Sequence, residues 1–194
     1  MQQTYRNLTI RNATPADAIL LSAWWNDGCI MSHAGYHYGT GETPDMIAQR
    51  IRKDRDMSSR RLIVEEAQPD FIYRARAAQL QSNNQNIPIG EMNYVNVGHG
   101  IAEIGIKICN SSRQGKGYGH ILLSMLIVEL FERLHFRQII TDTNIKNQRA
   151  QHVYESLGFV QTNIRDQAFR DSKGQWQTAV YYELHPNDFH SYLE

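Results

Sequence analysis

The run Arg113-Gln114-Gly115-Lys116-Gly117-Tyr118-Gly119 constrains this chain more than any other, because it joins an apolar, strand-like segment, Ile104 to Cys109, to a helix-like segment beginning at His120. A strand that turns through glycines into a helix can aim several backbone N–H groups at one anion. Glycine has no Cβ to hold a ligand off the backbone, and the helix N-terminus adds partial positive charge. The turn therefore reads as phosphate-binding. Counted from Gly115, the dinucleotide fingerprint GxGxxG fails, since His120 occupies its last position. No Gly-Lys-Ser/Thr stands at Walker spacing either. What remains is Gln114-x-x-Gly117-x-Gly119.

The rest of the chain places this turn inside a mixed fold. Leu8 to Arg11 reads as a short strand. Thr14-Pro15-Ala16-Asp17 then has the form of a helix start, with Thr14 as cap, Pro15 in the first turn and Asp17 reaching back. That helix runs to about Trp25, and Thr43-Pro44-Asp45 opens a second one to about Arg55. Between them lies an aromatic, glycine-bearing loop, Asn26 to Gly41. Arg61 to Glu66 and Ile87 to Val95 read as strands, with Gln68-Pro69-Asp70 as a turn after the first and Phe71 to Ala78 as an additional strand. The polar run Gln79 to Asn86 has nothing to bury and reads as a loop. Ile101 to Cys109 should pair with Ile87 to Val95 through Gly98-His99-Gly100. Beyond the glycine turn, Leu122, Leu126, Leu130 and Leu134, with Met125, predict an amphipathic helix on a sheet. Gln138 to Asp142 is a strand, and Ala150, Val153, Tyr154 and Leu157 mark one face of a helix that ends at Gly158. Phe159 to Arg170 and Gln175 to Leu184 form a last hairpin.

Three elements now stand in register: Ala102-Glu103-Ile104-Gly105-Ile106, the glycine turn, and Asn147-x-x-Ala150-x-x-x-Tyr154-x-x-Leu157-Gly158-Phe159. Together they resemble the GCN5-related N-acetyltransferase (GNAT) superfamily, whose signature is Arg/Gln-x-x-Gly-x-Gly/Ala. The resemblance covers about residues 101 to 160. It implies an α/β (α+β) fold, one domain over 1–194 with a mixed, mostly antiparallel central sheet flanked by helices. It also implies acetyl-coenzyme A as co-substrate, with transfer to an amine by direct attack in a ternary complex. The turn, Arg113, Gln114, Gly115, Lys116, Gly117, Tyr118, Gly119 and His120, would hold the pyrophosphate, each charge at a helix N-terminus contributing roughly 0.3 to 1 kcal/mol. Ile106, Lys107 and Ile108 would pair with the pantetheine arm, and Asn147 would contact it; Asn144 is the second choice for that contact.

An alkylamine with a pKa of about 10.4 must lose a proton before it attacks a thioester. The resemblance assigns that proton to Glu103, with Glu91 in reserve, and assigns to Tyr154 the protonation of the leaving thiolate. Asn147 is also a good helix cap, and Tyr154 also lies on a core-facing stripe. Cys109 reads as a small core residue rather than a nucleophile, for want of a partner base. A coenzyme A-binding sensor without turnover is the non-enzymatic alternative.

Composition narrows the partners. Lys plus Arg and Asp plus Glu are 20 each, so the whole-chain field attracts neither nucleic acid nor an anionic membrane. Two widely spaced cysteines outside any CxxC pattern suit a reducing, cytoplasmic setting. The start of the chain does not look like a secretory signal, and Ile121 to Phe131 is too short to span a bilayer. His33 and His37 have no third ligand beside them, so no metal is expected. The acceptor is left open between a small amine, an aminoglycoside-like compound and a peptide or protein amine; Trp24, Trp25 and the aromatics of the loop after them read equally as walls of its site or as caps on the core, and Tyr181 and Tyr182 as another wall. A homodimer is left open.

Overall fold

The computed structural model describes residues 1–68 and 86–194. The strand expected at Phe71 to Ala78, most of the Gln68-Pro69-Asp70 turn and the polar loop from Gln79 fall outside the described residues; Asn86 already opens a strand. Eight strands are β1 Gln2–Tyr5, β2 Leu8–Asn12, β3 Ser59–Ala67, β4 Asn86–Gly98, β5 Ile101–Ile108, β6 Gln138–Asn144, β7 Val160–Arg170 and β8 Trp176–Leu184. They form one sheet in the order β1-β2-β3-β4-β5-β6-β8-β7. β5 and β6 run parallel, and the other neighbours are antiparallel. The helices are α1 Ala18–Trp25, α2 Gly28–Met31, α3 Pro44–Lys53, α4 Tyr118–Val128 and α5 Gln148–Ser156.

Alternation along the strands gives the sheet two apolar faces. Leu62 and Val64 of β3 join a core with α4 and α5, while Ile63 joins a second core with Ala18, Leu21 and Trp25 of α1 and Ile47, Ala48 and Ile51 of α3. Both predicted helix starts form as read. Asp17 accepts from the Thr14 amide at 2.7 Å, and Thr43 caps α3 through the Met46 amide.

Three elements differ from the sequence expectation. α2, Gly28–Met31, is a short helix inside the stretch read as a loop, Asn26 to Gly41, and is capped by Asp27, which accepts from the Cys29 amide at 2.7 Å. β1 was not foreseen: Gln-Gln-Thr-Tyr is an edge strand only partly covered, so no buried face imprints an alternating pattern on it. The helix after the glycine turn is not amphipathic in place. Leu122 to Ile127 are all buried, Ser124 included. The C-terminal residues lie over its outer side: the Tyr192 amide donates to Ser124 Oγ at 3.0 Å, and Phe189 and Leu193 pack against the same core. The helix closes in a π-helical turn, Glu129–Arg133, where the Leu134 amide reaches back five residues to the Glu129 carbonyl at 3.0 Å.

Candidate active site

β5 and β6 are hydrogen-bonded in register only at Ile101↔Gln138, Ala102↔Ile139 and Glu103↔Ile140. Both strands continue, β5 to Ile108 and β6 to Asn144, so they part beyond Glu103. On its other edge β5 stays paired with β4, from Ile106↔Met92 to Ile108↔Gly90. That pairing is close because residue 90 has no side chain: a Cβ there would stand 2.3 Å from the Lys107 carbonyl oxygen. The parting opens a cavity of about 960 Å³ whose lining includes Ile106, Lys107, Ile108, Asn147 and Tyr154. On that side the expected cofactor strand has no strand partner beyond Glu103, although the Ile104 and Ile108 carbonyls accept from the side chains of Thr141 and Gln114.

The glycine turn forms the cavity's outer end. Gly115 and Gly117 take left-handed φ values of +74° and +76°, and no atom lies within 4 Å of where their Cβ atoms would stand. Gly117 is the N-cap of α4. Here the chain offers an open cradle of backbone at a helix N-terminus, the arrangement a pyrophosphate requires, so the residues present fit coenzyme A. Gln114 braces the turn: its Nε2 donates to the Ile108 carbonyl at 2.9 Å. Gly119 and His120 line the cavity; His120 lies against Tyr192, ring centroids 4.6 Å apart, and burial followed by neighbouring His152 lowers its pKa.

The side-chain cations differ from the sequence expectation. Arg113 is ion-paired with the buried carboxylate of Glu66, which also takes the Tyr118 hydroxyl and the Asn7 amide. It lines the cavity, yet one edge of its guanidinium is engaged. Lys116 is exposed and is not among the lining residues. The sequence reading missed Arg149, the second residue of α5, which lines the cavity and donates to Gln114 Oε1 at 3.4 Å. Its cue was available, since Arg149 follows the Asn147 cap by two residues.

Tyr154 lies deep in the site, 5% exposed, packed against Phe159 and Tyr182 at centroid separations of 5.5 and 5.6 Å. Burial pushes its phenol pKa up, hydrogen bonding with Thr141 opposes this, and the charge of Asp142 adds to it. A phenol held protonated is suited to donate a proton. Thr141 fixes the local geometry by donating to the Ile104 carbonyl at 3.1 Å, at the point where the strands part. Asn147 caps α5 through the Ala150 amide at 3.2 Å and donates to Thr143 Oγ1 at 3.2 Å. Asn144 also lines the cavity, with its amide donating to Gln177.

The carboxylates separate. Glu91, the reserve base, is buried behind the sheet, where Trp25 Nε1 donates to it at 2.7 Å, Lys107 Nζ at 3.0 Å and Arg61 at 3.2 Å. It does not line the cavity. Glu103 stands one position before the strands part and is likewise absent from the lining; desolvation first, then the charge of Asp142, raises its pKa. Asp142, which the sequence reading did not single out, does line the cavity, and desolvation raises its pKa. Cys109 is buried, with a thiol pKa raised to about 12, chiefly by that burial and then by Glu91.

On the acceptor side, the wall comes from only part of the aromatic loop: His33, Ala34, Gly35 and Tyr36. Trp24 and Trp25 pack into the second core instead. The last hairpin contributes Phe169 to Ser172; Tyr181 and Tyr182 are not among the lining residues, Tyr181 pairing across the strands with Asp142 and Tyr182 donating to Glu155 at 3.2 Å. Loop and hairpin are fastened together: the Ser172 amide donates to the Gly35 carbonyl at 2.7 Å, the His37 amide to Ser172 Oγ at 2.9 Å, and His37 Nε2 stands 3.5 Å from Asp171. Among the described residues no group of three or more His, Cys, Asp or Glu could hold a metal ion, and no helix is long and apolar enough to cross a membrane.

Comparison with known proteins agrees with this geometry. Residues 7–160 match the family model described as Acetyltransferase (GNAT) domain. The chain is 30% identical over 155 residues to the spermidine N(1)-acetyltransferase of Vibrio cholerae serotype O1, covering 79% of each chain. The crystal structure of spermidine N-acetyltransferase from Vibrio cholerae, in complex with CoA and spermine, superposes with a TM-score of 0.76 at 24% identity, over 94% of this chain and 97% of that one. The ribosomal-protein-S5-alanine acetyltransferase of Vibrio fischeri superposes with a TM-score of 0.75 at 16% identity, over 98% and 99%. With the family model covering most of its length, and a parted pair of strands leading into an open glycine cradle, the chain belongs to the GNAT acetyltransferase family and is an acetyl-CoA-dependent N-acetyltransferase.

Proposed function

We propose that the acceptor is a small, cationic amine of the polyamine class, acetylated by direct attack in a ternary complex. The observation that carries this reading is the parting of β5 and β6 over Tyr154, with a carboxylate, Asp142, on the cavity wall. An ammonium group entering there meets an anion, while the neighbouring cation Lys107 is already paired with Glu91 and Arg113 with Glu66. The spermidine N(1)-acetyltransferase relative supports the same acceptor class. Coenzyme A, when bound, supplies an activated thioester; the chain positions it through the backbone of Ile106 to Ile108 and the amides of the glycine turn. Asn147 and Arg149 stand beside that path, and Tyr154 supplies the proton to the leaving sulfur. Positioning and proton transfer are the main tasks, because the acyl group arrives activated. A reducing, cytoplasmic setting is supported by the two widely spaced cysteines, and light scattering distinguishes a monomer from a homodimer.

Thiol release from acetyl-CoA, measured with spermidine, spermine, diamines, aminoglycosides and peptides bearing a free α-amine, tests the proposal. Turnover confined to the polyamines and diamines is expected. Turnover with peptides alone would replace the acceptor class by a protein amine. A silent panel with coenzyme bound would overturn the polyamine reading in favour of an acceptor outside the panel.

A further inference from the structure

We propose that Asp142 is the group that takes the proton from the acceptor amine, with Glu103 as a second carboxylate behind it. This rests on the amine-acetylation reading above and names the residue that sequence resemblance placed elsewhere. Three carboxylates stand near the parted strands, and their positions differ in kind. Both Glu91 oxygens are taken, Oε1 by Trp25 and Lys107 and Oε2 by Arg61, and the residue has no access to the cavity. Glu103 sits where β5 and β6 are still paired, opposite Ile140, and is not among the lining residues. Asp142 comes two residues after Ile140, beyond the parting, and lines the cavity itself.

Strand geometry then sets the donor and the acceptor on opposite sides. Successive residues of a strand point to opposite faces. Thr141 is buried, bonded to the Ile104 carbonyl and next to the Tyr154 phenol, whereas Asp142 is exposed on the other face. The parting thus has a proton donor on its core side and a proton acceptor on its open side. Asp142 takes one proton from the ammonium, and the freed lone pair forms the C–N bond. The C–S bond breaks with its electron pair on sulfur, and Tyr154 protonates that sulfur. The second nitrogen proton restores the phenol, and the proton on Asp142 leaves to solvent. The groups that share this environment are Glu103 from β5, Lys107 further along it, Tyr154 from α5, Tyr181 opposite on β8, and His33 and Asp171 on the facing walls. Desolvation raises the Asp142 carboxyl, which makes it a better proton acceptor.

The test is the pH profile of kcat for the wild type, Asp142→Asn, Asp142→Glu and Glu103→Gln, with the best acceptor from the panel. Asp142→Asn should lower kcat by about 100-fold and abolish the acidic limb, with acetyl-CoA binding unchanged. Asp142→Glu should restore part of the rate, and Glu103→Gln should leave the acidic limb in place, because burial alone raises the Asp142 carboxyl. An Asp142→Asn enzyme with wild-type kcat and an intact limb overturns the inference, as does loss of the limb in Glu103→Gln alone. Carbon-13 titration of the carboxyls needs no acceptor, so it still decides if the wild type is silent on every amine. An Asp142 signal that titrates as an ordinary aspartate would overturn the inference independently of the acetylation reading.

Discussion

Single side chains in this protein are set by what they touch. Tyr154 has its ring in the core and its hydroxyl beside Thr141 at the cavity, so loss of that oxygen should affect chemistry more than folding. Tyr154→Phe is expected to reduce kcat by about 100-fold while the dissociation constant for acetyl-CoA, measured calorimetrically, stays at the wild-type value. Glu91 is the opposite case. Its side chain is 3% exposed and holds two cations and an indole N–H, with Arg61 also lying over the Trp25 ring at 4.4 Å. Glu91→Ala leaves buried donors unpaired and should destabilise the fold by about 3 kcal/mol in urea unfolding. Asp17 contributes a pH dependence. Desolvation raises its carboxyl, but the hydrogen bonds from Arg11 and Thr14 outweigh this and leave its pKa below the ordinary 3.8. Because the folded pKa is the lower one, its stabilisation is complete above about pH 3.8 and is lost as pH falls through the folded value. Thermal melts from pH 2 to 7 should show a shallower acid decline for Asp17→Asn than for the wild type.

Elements carry the cofactor site. The glycine turn is an open cradle because its backbone is left-handed at residues 115 and 117 and nothing crowds it. Gly117→Ala therefore meets no clash, and its expected cost is the strain of a left-handed L-residue, about 1–2 kcal/mol. If the turn relaxes to avoid that strain, the amides leave the anion, so weaker acetyl-CoA binding with little change in acceptor KM is the predicted signature. The turn was legible in the chain because glycine spacing is a local property. The burial of α4 was not, since its outer side is covered by residues 189–193, more than sixty positions away. Local periodicity registers the sheet-facing stripe and cannot register a tail that folds back over the helix.

At the scale of the molecule, the acceptor cavity is closed by two segments distant in sequence, the loop after α2 and the β7–β8 turn, joined through Gly35, His37, Asp171 and Ser172. Ser172→Ala removes one of these bonds, the one to the His37 amide. A several-fold rise in acceptor KM at unchanged acetyl-CoA affinity is expected, and an unchanged KM would show that the fastening does not shape the acceptor side.

The sequence by itself determined the order of strands and helices in the described residues apart from β1 and α2, together with the glycine turn, the Asn147 cap and the position of Tyr154. All of these depend on neighbours a few residues apart, through turn chemistry, capping and periodicity. Only the tertiary structure decided which charges are free. Arg113 and Glu91 are absorbed by partners 47 and 66 positions away, Glu66 and Trp25, and Asp142 reaches the cavity because β5 and β6 stop pairing two residues before it. Such pairings depend on how the sheet brings remote strands together, and a charged residue carries no local mark of whether its partner will be a side chain or a substrate.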